Sequence, residues 1–237
     1  MKRNRRSTKG AALFFFSISI SILLASPALA EFVPISELPE GKLEVWDKLF
    51  SEFEVTGIVQ GGPPPPTADT VMVDVIDEGF LGEDEYGLIF RLAASAATNQ
   101  LINANINFKV SILPGYSPWL IEDATIILSN VGATDAGLVT VTEMIYATPL
   151  PMDPLAILDT KREADDGGVN LYDSSDLNSQ VKDIWVRTGI IVRGGFESYA
   201  GTANLTEVWV IYGQVPEPAT ILLLGLGSLA LLRIRKR

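Results

Sequence analysis

From Ala104 to Ile112 every second residue is apolar. Ala104, Ile106, Phe108, Val110 and Ile112 alternate with Asn105, Asn107, Lys109 and Ser111. A period of two puts the two sets on opposite faces of an extended chain, so this segment can bury one face only as a β-strand. Comparable alternating or β-rich runs occupy Glu52–Val59, Thr70–Ile76, Tyr86–Ala94, Leu120–Asn130, Gly137–Ala147, Pro154–Thr160, Val181–Val192 and Ala203–Gly213. Between them stand turn-forming stretches such as "QGGPPPPTAD", "LPGYSPW", "NVGATDAG", "DDGGVN" and "RGGFESYAG". About nine strands so spaced predict an all-β fold, an antiparallel β-sandwich over residues 31–214. Leu38–Phe50 fits a short helix or an edge strand, and the pattern leaves both open. The run Gly61–Pro66 has only about 30 residues before it in the exported chain, too few for a separate core, and reads as a polyproline-like loop between strands.

The 237-residue chain has no cysteine and no histidine. That excludes disulfides, thiolate metal sites, cysteine nucleophiles, a Ser-His-Asp triad and histidine-bound zinc. Net charge is −11, but the sign is unevenly spread. Lys2, Arg3, Arg5, Arg6 and Lys9 open the chain; Arg233, Arg235, Lys236 and Arg237 close it. All 29 acids lie between, from Glu31 to Glu217, against nine Lys or Arg, a net near −20. Such a body repels nucleic acid.

Each end carries an address. Behind the basic start comes an apolar run, Ala11–Ala25, and then "SPALA". Ala28 and Ala30 form the small-x-small pattern of a signal-peptidase site, predicting a signal peptide over 1–30 and Glu31 as the new N-terminus. Arg5-Arg6 lacks the following apolar residue of twin-arginine signals, so the general secretory route is expected. At the other end the apolar run Ala219–Leu232 would span roughly 21 Å as a helix, short of the hydrocarbon core of about 30 Å. It is apolar on every side and is followed by Arg233, Arg235, Lys236 and Arg237, a stop-transfer and positive-inside pattern. Tilt-free insertion with local thinning and arginine snorkelling covers part of the shortfall, so a single transmembrane sorting helix is expected.

With Pro216, Glu217 and Pro218 ahead of that run, residues 215–237 resemble the PEP-CTERM protein-sorting signal of Gram-negative bacteria that make exopolysaccharide. The resemblance implies an exosortase, a membrane cysteine transpeptidase, as processing partner. It implies transient residence in the inner membrane, then the cell surface or extracellular matrix. The prolines hold an extended segment that such an enzyme can grip. The body also resembles a recurrent companion domain of such tails, through "WDKLFSEFEVTG", "GLIFRL", "PGYSPWLIEDATIIL" and "VKDIWVRTG". Trp185 and Arg187 depart from the Gly-rich sequence expected after Lys182-Asp183-Ile184. This second resemblance implies location and no activity.

Three chemistries are open to the body. The acids at Asp77–Glu85 and in Arg162–Asp176 lack the Asp-x-Asp-x-Asp-Gly register with a closing Glu of a calcium loop, so solvated turns and no metal are expected. A glycosidase needs two facing carboxylates, and no pair is identifiable. Aromatic stacking on sugar has candidates in Trp46, Tyr116, Trp119, Trp185 and Trp209. Tyr116 and Trp119, placed in a loop beside Pro118, are favoured, while Trp209 reads as sheet packing. Asn204-Leu205-Thr206 fits a glycosylation sequon by pattern alone. The expectation is a non-enzymatic, cofactor-free structural or adhesive surface protein; the alternative is an exopolysaccharide-binding module, and a hydrolase ranks third.

Overall fold

In the computed structural model the Ala104–Ile112 alternation lies at the centre of a sheet. Residues 32–76, 86–116, 119–149, 153–163, 169–196 and 199–216 are described. One sheet has six strands: β1 (Val33–Pro34), β4 (Met72–Ile76), β5 (Tyr86–Ala96), β13 (Gly201–Pro216), β7 (Trp119–Asp135) and β11 (Tyr172–Val181), in that spatial order. The other has seven: β10 (Val169–Asn170), β9 (Ala156–Glu163), β8 (Leu138–Tyr146), β12 (Asp183–Arg193), β6 (Leu101–Ile112), β3 (Lys48–Gln60) and β2 (Leu43–Val45). Every pairing is antiparallel. The helical pieces among the described residues are single 3-10 turns at Ile35–Glu37, Pro39–Gly41 and Pro114–Tyr116. None is long and apolar enough to cross a membrane. Residues 1–31 and 217–237, on which the expected signal peptide and sorting helix fall, lie outside the described residues.

The sandwich expectation holds and the strand count does not. Each of the nine runs is a strand, but thirteen strands occur among the described residues. The four extra ones are edge pieces. β1, β2 and β10 have two or three residues each, too short to show a period. β11 reads YDSSDLNSQV, a polar run in which Leu177 is the buried apolar residue. It is a strand because β7 supplies its ladder, Tyr172 facing Ile127 through Asp176 facing Asp123. The acidic stretch expected as a solvated turn therefore runs into a strand from Tyr172 onward. Leu38–Phe50 resolves into a 3-10 turn, β2 and the start of β3.

The core lies between the sheets. Ile106, Phe108 and Val110 of β6 meet Leu88 and Phe90 of β5 and Val208, Val210 and Tyr212 of β13, all essentially buried. Phe108 sits within 5.5–6.4 Å, ring to ring, of Phe90, Phe53, Phe50 and Tyr212. Each such buried ring contributes roughly 2–3 kcal/mol of burial. At one edge the sheets are joined directly: the Asp159 N–H of β9 donates to Asp173 Oδ2 of β11 at 2.7 Å. The Gly61–Pro66 run is the loop that crosses from β3 in one sheet to β4 in the other. It folds back over β3, because a Cβ built on Gly57 would stand 3.1 Å from the Pro65 Cβ.

Candidate functional site

A β-bulge builds the most promising surface. In β3, Ser51 pairs with Lys109 and Glu54 with Asn107, so three steps on one strand match two on the other. The extra residue is Glu52, at φ 57°. Uninterrupted alternation from Phe50 would turn Glu52 inward and Phe53 outward. The left-handed residue resets the phase, so Phe53 stacks on Phe108 at 5.8 Å while Glu52 and Glu54 face solvent. A non-glycine residue in that region costs of order 1–3 kcal/mol and clusters at functional sites.

Glu52 and Glu54 form one rim of a cleft of about 300 Å³ on the side of the seven-stranded sheet away from the core. Asn107 of β6, Trp185 and Arg187 of β12, Tyr146 of β8 and Pro149 also line it, with Phe108 and Val186 reaching it from the core side. Four strands thus each supply outward residues, while their neighbours Phe108, Ile184, Val186 and Ile145 enter the core. Asn107 Nδ2 donates to Glu54 Oε2 at 3.2 Å, and Arg187 Nε donates to Asn105 Oδ1 at 3.3 Å. The Lys109 ammonium lies 4.8 Å from the Trp185 ring centroid and 3.0 Å from Asp183. Burial pushes the Asp183 carboxyl up, but the Ser111 hydrogen bond at 2.6 Å and Lys109 outweigh it and hold the group below its ordinary value. The Trp185 ring is therefore fixed by a charged network.

Two polar atoms in this cleft are buried without a protein partner: Trp185 Nε1, a donor, and Asn107 Oδ1, an acceptor. Leaving such atoms unpaired costs about 1–3 kcal/mol each. Two aromatic rings, two carboxylates, an amide and a guanidinium suit a ligand bearing many hydroxyls, each able to donate and accept.

A second groove, about 540 Å³, runs along β7 and β11 of the six-stranded sheet. Asp123, Thr125, Tyr172, Ser174, Ser175 and Asp176 line it. Asp176 stands directly opposite Asp123 in the ladder. Burial first, and the carboxylates of Glu122 and Asp176 next, raise the Asp123 pKa, against the Gly213 N–H that donates to it. No cluster of three or more metal-ligating side chains occurs among the described residues. Asp77–Glu85 lies outside the described residues.

The favoured aromatics lie elsewhere. Trp119 is not in a loop. It opens β7, half-buried, with its Cα opposite Pro216, because the ladder with β13 extends to the end of that strand. Tyr116 packs against Trp46, with centroids 6.1 Å apart. Trp209 is half-buried in the six-stranded sheet, with Nε1 donating to Glu207 Oε2 at 3.4 Å. Of the sorting residues, Pro216 ends β13; Glu217, Pro218, Arg233, Arg235, Lys236 and Arg237 lie outside the described residues, as do Ala28, Ala30 and Glu31. Sequence reasoning missed Glu52, Glu54, Asn107 and Tyr146 as a set. The one usable signal was the departure at Trp185 and Arg187 from the companion-domain pattern, since both line the cleft.

Residues 214–237 match the family model described as the PEP-CTERM protein-sorting motif. The chain therefore carries that sorting motif, which marks an exported protein with a C-terminal membrane-anchoring tail and an exosortase as its processing partner. Against curated proteins no match was found. Among solved structures, TmCBM61 in complex with β-1,4-galactotriose aligns at 12% identity and TM-score 0.29, over 70% of this chain and 90% of that one. The enzymatically active domain of bacteriophage CBA120 tailspike protein 4 aligns at 12% identity and TM-score 0.25, over 73% of this chain but a fifth (20%) of that one. A structure from a study of carbohydrate-binding modules of the β-sandwich superfamily aligns at 12% identity and TM-score 0.22, over 76% and 61%. Overlaps this loose carry no functional weight.

Proposed function

We propose that this exported, exosortase-sorted chain is a non-enzymatic glycan-binding protein of the cell surface or extracellular matrix. It would hold exopolysaccharide in the cleft of Trp185, Tyr146, Asn107, Glu52, Glu54 and Arg187, and its adhesive role would follow from that grip. The observation that carries this reading is the outward cleft in which Trp185 and Tyr146 stand beside Glu52, Glu54, Asn107 and Arg187. A sugar ring stacked on the aromatics would meet the side chains of Glu52, Glu54 and Arg187 with its hydroxyls.

Affinity electrophoresis in gels containing the host's exopolysaccharide tests it. Trp185→Ala is expected to weaken retention about ten- to a hundredfold, which corresponds to roughly 1.4–2.8 kcal/mol. Undiminished retention in Trp185→Ala, with loss in Trp119→Ala, would move the site to the aromatics favoured by sequence. No retention of the wild-type chain, with altered biofilm on deletion, would leave a purely structural role.

The processing half has its own expected result. Intact-mass analysis of the protein recovered from cells should find a species that begins at Glu31 and lacks the apolar tail. Recovery only of chains ending at Arg237 would refute removal of the tail.

A further inference from the structure

The sandwich hands over to the tail with almost no spacer. Pro216 is the last residue of β13 and still stands opposite Trp119. The apolar run starts at Ala219, so Glu217 and Pro218 alone intervene. Three fully extended steps reach about 10 Å. The headgroup layer on each side of the hydrocarbon core is itself roughly 5–8 Å deep. With the tail in the bilayer, this end of the sandwich is held within about 5 Å of the headgroup layer.

A group of aromatic side chains lies toward that end. Tyr116 lies three residues before Trp119 and its ring is 6.1 Å from that of Trp46. Trp46 stacks on Tyr86 at 5.3 Å and 22° between planes. Tyr86 is the Cα partner of Tyr212, four residues before Pro216. The group is unusual in two ways. Trp46 is 60% exposed, where most indoles are covered. It also sits at φ 58° in the two-residue turn between Val45 and Lys48, a place that suits glycine and is strained for a bulky residue. The Leu113 N–H donates to the Asp47 carbonyl at 2.7 Å and fastens this turn to the end of β6. The indole stacks on Tyr86 and still leaves most of its surface to solvent, on a pinned turn that strains it.

We propose that this group is a lipid-docking surface. Trp46 and Tyr116 enter the headgroup layer of the membrane that holds the tail, and so orient the sandwich on it before processing. Tryptophan and tyrosine favour that layer because an apolar ring and a polar tip meet both media. The strongly acidic body disfavours electrostatic attachment to anionic lipid, so the contact fits zwitterionic headgroups. The inference rests on the tail residing in the bilayer. It is independent of glycan binding, which involves Trp185 on another surface.

The test uses the full chain incorporated into phosphatidylcholine vesicles with brominated acyl chains. Flotation reports insertion, and quenching of tryptophan emission reports contact. The chain has four tryptophans, so single variants assign the quenched ring. Wild type should float and be quenched. Trp46→Phe and Trp46→Gly should float equally and lose roughly half or more of the quenched emission, whereas Trp185→Phe should keep it. Glycine suits the left-handed turn and phenylalanine keeps a ring, so at least one variant should melt like wild type. Flotation with quenching unchanged in the Trp46 variants, or lost in Trp185→Phe, overturns the docking surface alone. Failure of the wild-type chain to float overturns the membrane-resident tail and the docking surface together.

Discussion

Between pH 4.5 and pH 8 the wild-type fold should lose roughly 5 kcal/mol of stability that a Glu143→Gln variant does not lose. Glu143 is fully buried in β8, inside the sandwich. Burial pushes its carboxyl from 4.5 up to about 8, although hydrogen bonds from Tyr212 and Thr188 pull the other way. Tyr212 Oη donates to Oε1 at 3.1 Å and Thr188 Oγ1 to Oε2 at 3.2 Å. Tyr212 belongs to the six-stranded sheet and the other two to the seven-stranded one, so the group ties the layers together. The sign follows from the raised value. The unfolded chain releases this proton near 4.5 and the folded chain near 8. Its contribution is fully present below 4.5 and is lost as pH rises to 8. Glutamine keeps the shape and an acceptor without ionising, so its stability should be flatter across that window and exceed wild type at pH 8. Urea titrations of both proteins at pH 4.5, 6 and 8 check this. Parallel pH profiles would show that Glu143 does not titrate in the window.

Lys48→Met should cost about 3–5 kcal/mol, the usual penalty for stranding one partner of a buried ion pair. Asp47 and Lys48 are both wholly buried where β3 begins, with Nζ 3.0 Å from Asp47 Oδ1. Nζ also lies 5.1 Å from the Tyr86 ring centroid. Asp47 Oδ2 is buried with no hydrogen-bond partner, so this carboxylate has little else to offset its desolvation. Methionine preserves the stem and deletes the charge. The double variant Asp47→Asn with Lys48→Met should recover much of the loss, because no charge is then left buried. Denaturant midpoints across the four-protein cycle measure the coupling. A single Lys48→Met variant within about 1 kcal/mol of wild type would mean the pair is solvated in solution.

The nine long strands were legible because each buries one face, and a buried face imposes a period of two on the residues themselves. β11 was not, because an edge strand with mostly polar side chains takes its conformation from the ladder of β7 rather than from its own pattern. The bulge was hidden too. Glu52 and Phe53 look like ordinary alternation, and only the partner strand reveals that one residue is extra. Trp119 looked like a loop residue behind Pro118, yet pairing with Pro216 at the far end of the chain draws it into a strand. The candidate cleft was the least legible part. Glu54, Asn107, Tyr146 and Trp185 lie on the outward face, where burial imposes no pattern, and they are up to 131 positions apart.

Sequence by itself determined the sorting tail and the fold class. A sorting tail is read by other molecules as a short linear segment, so its information is local. Alternation is local as well, and it suffices for an all-β sandwich. Tertiary structure decided which strands lie side by side, and with them everything about the site. Strand order arises from pairings between residues far apart in the chain. That order brings Trp185 beside Asn107 and Tyr146, sets Pro216 against Trp119, and seals Glu143 between the sheets.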